Sequence, residues 1–212
     1  MLRIIALERE YGSGGAAIAG KLAERLGWKL WDQALTGEIA QALHVDAEAV
    51  QNREERCDTL FYRLAKVFMR GSFERGLPVT GLERFDADRL VEMMQELMEK
   101  AVSEGNCVIV GRGSPYFLRY RPDVLSVFIF APLEEKIRRV KATGKSDAEA
   151  VELITTIDRD RATFVKKYYG MDWPTRSLYH LMINSKVGDE TVVRMILDEV
   201  ALLDHPPPPE KG

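Results

Sequence analysis

The chain has 212 residues, 46% hydrophobic and 30% charged, enough to bury one substantial core and too few for two average domains. Its 30 basic residues stand against 33 acidic ones, so a net charge of −3 offers no global attraction to nucleic acid or to an anionic membrane. Cys57 and Cys107 supply neither a disulfide framework nor a zinc pattern, and no stretch reaches the roughly 18 apolar residues of a membrane span; the opening run is also too short for a signal segment, so a soluble, reduced, cytoplasmic protein is expected.

The first predicted strand covers residues 2–7. It leads into Glu8-Arg9-Glu10-Tyr11-Gly12-Ser13-Gly14-Gly15 and then a helix with Ile18, Ala19, Leu22, Ala23 and Leu26 at helical spacing, stopped by Gly27. Strand, glycine-rich turn, helix is the arrangement that points unpaired backbone N–H groups at an anion, and phosphate is the expected guest. The glycines let the main chain come close and adopt positive φ, although the same three also suit an ordinary tight turn. The loop departs from the P-loop pattern G-x-x-x-x-G-K-[ST]. With Gly14 in the last glycine's place, Arg9 replaces the first, the lysine position falls on Gly15 and the hydroxyl position on Ala16 or Ala17, leaving Ser13 as the turn's only hydroxyl. Losing such a charge stabiliser costs about 3–4 kcal/mol unless another cation substitutes, and Arg9 is the nearest candidate.

The second strand, residues 28–31, ends at Asp32, an acid placed to grip a sugar hydroxyl or base, or to cap the next helix. Residues 33–105 then read as several helices (35–43, 47–52, 59–69 and 87–102) around a Gly/Pro-containing loop at 76–81. That exceeds what one crossover needs and predicts a helical excursion over the sheet's carboxyl edge, where open α/β sheets bind their ligands. The third strand, 107–110, ends in Gly111-Arg112-Gly113-Ser114; a guanidinium between two glycines fits a close, bidentate phosphate contact, against the alternative of a surface arginine in a loop.

A fourth strand covers 124–130, and a second excursion starts at Gly144. Ser146 and Glu149 form a capping-box pattern, opening a helix through Val151, Ile154, Ile157 and Val165 that stops at Tyr168-Tyr169-Gly170. It carries Asp158-Arg159-Asp160-Arg161, then Lys166 and Lys167, which read either as a solvated helix face or as a lid over phosphate. On an ideal helix Arg159 and Lys166 share a face while Arg161 points nearly the other way, so joint contact with one phosphate needs a bend or a closure. Trp173, Tyr168 and Tyr169 fit either stacking on a base or packing the hinge of that lid. A fifth strand at 180–184 precedes a helix over 190–203 with Val192, Val193, Ile196 and Val200 inward, and a stiff proline run at 206–209. His44, His180 and His205 show no metal spacing. The alternation predicts an α/β fold, a five-stranded parallel sheet with helices on both faces, as one domain over 1–212 with an acceptor-binding excursion at 33–105 and a lid at 144–172.

Taken in this order, the clusters resemble the cytidylate kinase-like family, a branch of the nucleoside monophosphate kinases among P-loop proteins, from residue 4 to residue 200. The matching pieces are Glu8 to Gly15 with its helix, Leu30-Trp31-Asp32, Val110-Gly111-Arg112, Pro122-Asp123-Val124 and Asp158-Arg159-Asp160-Arg161. The resemblance implies that Gly12, Ser13, Gly14 and Gly15 cradle the phosphates of ATP, that Asp32 and Arg112 hold the acceptor nucleotide, and that Arg159 and Arg161 are lid residues. It also implies Mg²⁺ bridging the donor's phosphates and lid arginines stabilising the transferring group. Catalysis of this kind is positioning plus charge neutralisation, with Arg9, Arg112, Arg159 and Arg161 as the cations. The expected activity is transfer of the γ-phosphoryl group of ATP to a nucleoside monophosphate, CMP or dCMP, with small nucleotides as partners and neither nucleic acid nor membrane among them. Related sequences often carry a basic residue after Gly-Ser-Gly-Gly where Ala16 stands here. That departure keeps open a nucleotide-binding or regulatory module without turnover, and a kinase for another small molecule.

Overall fold

The computed structural model describes residues 1–32, 87–111 and 113–204. The helices predicted over 35–43, 47–52 and 59–69, the loop at 76–81, Arg112 and the proline run lie outside the described residues. The strands are β1 (Ile4–Arg9), β2 (Lys29–Trp31), β3 (Cys107–Val110), β4 (Val124–Phe130) and β5 (Leu181–Asn184). Every pairing is parallel, and the order is β2-β3-β1-β4-β5. The helices are α1 (Gly15–Leu26), α2 (Ala87–Glu104), α3 (Ser114–Phe117), α4 (Leu133–Lys141), α5 (Asp147–Tyr169) and α6 (Asp189–Asp204). All five predicted strands are present. The short α3 and the charged α4 have no counterpart in the sequence reading.

A parallel sheet covered on both faces calls for strands that are apolar throughout, and β1, β3 and β4 meet that demand. On one face Ile5 and Leu7 join Val108, Val127 and Ile129 under Ile18 and Leu22 of α1 and Val192 and Ile196 of α6. On the other, Ile4, Ala6, Ile109 and Val124 meet Trp31, Ala101 of α2 and Leu118 beside α3. Each fully buried aliphatic side chain contributes roughly 1.5–3 kcal/mol. The second face continues toward the carboxyl edge as Met94, Tyr116, Phe128, Phe164, Val165 and Tyr179, which seat α5 against the sheet.

The strand β1 runs two residues past the end of its apolar run. Glu8 pairs with Phe128 and Arg9 with Ile129, so the ladder to β4 carries two charged side chains into the buried centre of the sheet. Both are enclosed, at 3% and 6% exposure. Because side chains alternate along a strand, they leave on opposite faces. Helix ends follow local chemistry: Gly27 closes α1 with φ 63°, and the Ser146–Glu149 capping box opens α5 as its sequence pattern predicts. No described helix is long and apolar enough to cross a membrane.

Candidate active site at the carboxyl edge of the sheet

The turn from β1 into α1 is shaped by its glycines and by one spent hydroxyl. Gly12 and Gly14 have φ of 79° and 80°, and Gly14 caps α1 without a side chain. The first turn of α1 contains no acidic residue, so the positive end of the helix is left for an external anion. A Cβ on Gly12 would lie 3.0 Å from Val140 and 3.1 Å from the Lys136 carbonyl, and one on Gly14 would collide with the Arg139 guanidinium. A Cβ on Gly15 would lie 2.6 Å from that of Arg9. Ser13 is fully buried; its Oγ donates to the Glu10 carbonyl at 2.8 Å, and its own carbonyl accepts from Ser185 Oγ at 2.7 Å. Its hydroxyl therefore folds the turn, and its carbonyl ties the turn to the segment after β5.

Two of the predicted arginines meet beside this turn. Arg161 of α5 is 7% exposed and donates from Nη1 to the Arg9 carbonyl at 2.7 Å and to Asp158 Oδ1 at 3.1 Å. The Arg9 side chain passes beneath Gly15, and its guanidinium lies where a Cβ on Gly111 would stand, at the end of β3. Burial, with the like charge of Arg9 next in weight, pushes the Arg161 guanidinium down to about 10, while Asp158 and Glu8 oppose the shift. At neutral pH Arg161 is still a cation, held near a second cation where water is scarce. That is the electrostatic condition under which an arriving polyanion gains most.

Asp158 organises the arrangement. The same Oδ1 accepts the Tyr11 N–H at 2.8 Å, and Oδ2 lies 3.6 Å from Lys136 Nζ, which is 3.0 Å from Glu10 Oε2. Burial raises the Asp158 carboxyl pKa, against Arg161, the Tyr11 amide and Lys136. A second basic side chain of α4, Arg139, pairs with Glu135 at 2.8 Å and Asp189 at 2.8 Å while lying against Gly14. Arg139 thus sets its guanidinium against Gly14, while Lys136 lies against Gly12 with its backbone carbonyl and Cβ and sends its ammonium to Glu10 and Asp158. The sequence reading missed both. Lys136 sits four residues before Val140 and shares its inward face, a direction that only the packing of α4 reveals.

The remaining predicted residues divide. Asp32 is 3% exposed at the carboxyl end of β2. Arg112 is outside the described residues, but Gly111 and Gly113 on either side of it are fixed: the Gly111 N–H donates to the Leu7 carbonyl at 2.8 Å and the Gly113 N–H to Glu8 Oε1 at 3.2 Å. Arg159 is on the solvent side of α5 with 62% of its side chain exposed, 3.9 Å from Asp160. The helix is continuous over Asp147–Tyr169, so Arg159 and Arg161 keep the opposed directions that helical spacing dictates. Among the described residues no group of three His, Cys, Asp or Glu gathers to hold a metal.

A model of the cytidylate kinase-like family matches residues 4–187. Curated relatives are the cytidylate kinases of Methanosarcina mazei, 27% identical over 142 residues, and Methanosarcina acetivorans, 25% identical over 142 residues. Each match covers 63% of this chain and 79% of the relative. Among solved structures, a protein from Eubacterium ventriosum aligns with a TM-score of 0.67 at 22% identity, over 94% of this chain and 99% of that one. Shikimate kinase from Acinetobacter baumannii, in complex with shikimate, aligns with a TM-score of 0.53 at 18% identity, over 95% and 94%. At these identities the structural likeness is one of fold.

Proposed function

The chain belongs to the cytidylate kinase-like family and has the P-loop kinase fold, and from that premise we propose that it transfers the γ-phosphoryl group of ATP to a nucleoside monophosphate, CMP or dCMP. The observation that carries the reading is the meeting of Arg9 and Arg161 beside a helix N-terminus that has neither a capping side chain nor an acid in its first turn. The main-chain amides of Gly12 to Gly15 bind the donor phosphates, and Arg161 and Arg9 neutralise charge on the transferring group. Asp32 and Arg112 hold the acceptor, residues 33–105 form its enclosure, and residues 144–172 act as the lid. Arg161 is the lid arginine already at the turn, and Arg159 joins it only through movement of that segment. Mg²⁺ bound with the nucleotide would supply further charge neutralisation. Free nucleotides as substrates fit a cytoplasmic enzyme.

The missing P-loop lysine is the reason to weigh a second reading, in which the chain binds nucleotide without turning it over. In the first reading Arg9, with Arg161 beside it, supplies the charge that lysine would bring. An ADP-release assay with ATP, Mg²⁺ and a panel of nucleoside monophosphates separates the two. Turnover highest with CMP or dCMP supports the kinase, and background rates with every acceptor overturn it. Calorimetric binding of ATP beside those background rates would establish the binding module instead.

A further inference from the structure

Glu8 lies behind the anion site, where its charge opposes the downward shift of Arg161, and it is a carboxylate at 3% exposure in the central strand of the sheet. A charge so buried ordinarily requires a partner cation, and among the described residues none forms an ion pair with it. Its two oxygens are divided between neutral donors far away in the chain. Oε1 accepts the Gly113 N–H at 3.2 Å, and Oε2 accepts the Trp173 Nε1–H at 3.1 Å. An apolar side chain would fill the same space at lower desolvation cost, so packing alone does not account for an acid there.

Both partners belong to segments that border the proposed reaction centre. The turn bracketed by Gly111 and Gly113, which carries Arg112 in the sequence, is held by three successive residues of β1. The Leu7 carbonyl takes the Gly111 amide, the Arg9 guanidinium lies against Gly111, and Glu8 takes the Gly113 amide. Gly113 has no room for a Cβ, which would lie 2.7 Å from the Tyr169 ring near the end of α5. Trp173 stands in the strap that follows α5, with its ring edge-on to Phe128 at 5.5 Å. Tyr116 of α3 donates to the Asp172 carbonyl at 3.0 Å and accepts the Thr175 N–H at 3.2 Å, so this strap is gripped on both sides of Trp173.

We propose that Glu8 is a positioning residue, a latch joining the strap after α5 to the turn after β3 so that Arg161 and Gly113 keep a fixed spacing beside the anion site. The consequence for rate rests on the kinase reading; the latch itself does not. Glu8→Gln keeps the side chain's volume but gives up one acceptor and the charge, and Trp173→Phe keeps an aromatic ring but gives up the donor together with part of the indole. A hydrogen bond to a charged acceptor is worth roughly a 10-fold change in an equilibrium, so the acceptor KM should rise about 10-fold in either variant while the ATP KM moves less than about 2-fold. The Trp173 indole N–H, identified by its loss in Trp173→Phe, should exchange with solvent about 10-fold faster in Glu8→Gln. The double variant should be scarcely worse than either single one, as expected for two ends of one bond.

Wild-type indole exchange in Glu8→Gln, an equal rise in both KM values, or additive losses in the double variant would each overturn the latch. Should the wild-type protein turn over no nucleoside monophosphate, the proposed function fails by itself. The latch is then judged on indole exchange and on whether the two substitutions shift thermal unfolding non-additively.

Discussion

Arg161 is the residue on which most of the site's chemistry converges, because one buried guanidinium touches the main chain of Arg9 and the carboxylate that also holds the Tyr11 amide. Replacing it with alanine removes a preorganised cation from the anion site, and the expected loss is on the order of 10²–10³ in kcat. The same change takes one partner from half-buried Asp158, which keeps the Tyr11 amide and Lys136, so chemical unfolding should also report about 1–2 kcal/mol of lost stability. Arg159→Ala, on a face that is mostly solvent, should cost far less on both measurements. Gly14 presents a different demand: at φ 80° a side chain is strained by about 1–2 kcal/mol before any contact is counted, and the Arg139 guanidinium already fills the place of a Cβ. Gly14→Ala should therefore lower the thermal midpoint and weaken ATP binding together, whereas Gly20→Ala, inside α1 with open space around it, should not lower the midpoint.

Among the elements, α4 joins the anion turn to the start of α6, through Lys136 on Glu10 and Arg139 on Asp189. Glu135 anchors its basic face. Hydrogen bonds from Arg138 above all, with those from Arg139 added, hold the Glu135 carboxyl down at about 2 against its ordinary 4.5, despite partial desolvation. A carboxyl with a depressed folded-state value stabilises the protein fully above its unfolded value and loses that contribution as pH falls. The acid limb of the stability curve should accordingly steepen between pH 4.5 and about 2, and Glu135→Gln should flatten it in denaturant titrations run across that window. Nothing in the sequence pattern marks this helix as functional, since Leu133-Glu134-Glu135-Lys136-Ile137-Arg138-Arg139 has the charge alternation of any solvated helix. The legible elements were those with a local signature: the apolar runs of β1, β3 and β4, the Gly27 stop and the Ser146–Glu149 box. Lys136, Arg139 and Glu8 escaped because their roles depend on partners such as Asp158, Asp189 and Trp173, which only tertiary packing brings near.

At the scale of the whole molecule, strand order explains why distant clusters share one site. With β1 between β3 and β4, the turns leaving all three open at the same edge, and the helix that carries Asp158 and Arg161 packs across it through Phe164 and Val165. The order of charged clusters along the sequence made that edge readable without coordinates, but opposed helical directions for Arg159 and Arg161 left open which of them would face it. Folding has gathered Arg9, Arg161 and Lys136 around the turn with Glu8, Glu10 and Asp158 opposing them, so a polyanion that binds there meets cations already in place and should stabilise the native state. Binding to the native state alone stabilises by about 2.7 kcal/mol at a ligand concentration 100 times Kd. For a chain of this size that corresponds to a rise of about 5–10 °C in Tm. ATP with Mg²⁺, titrated in a thermal unfolding experiment, should produce that rise in the wild-type protein and little of it in Arg161→Ala, because the variant keeps the glycine turn but lacks the cation that rewards the phosphates. An equal rise in both proteins would place the nucleotide away from the turn and detach the arginine pair from anion binding.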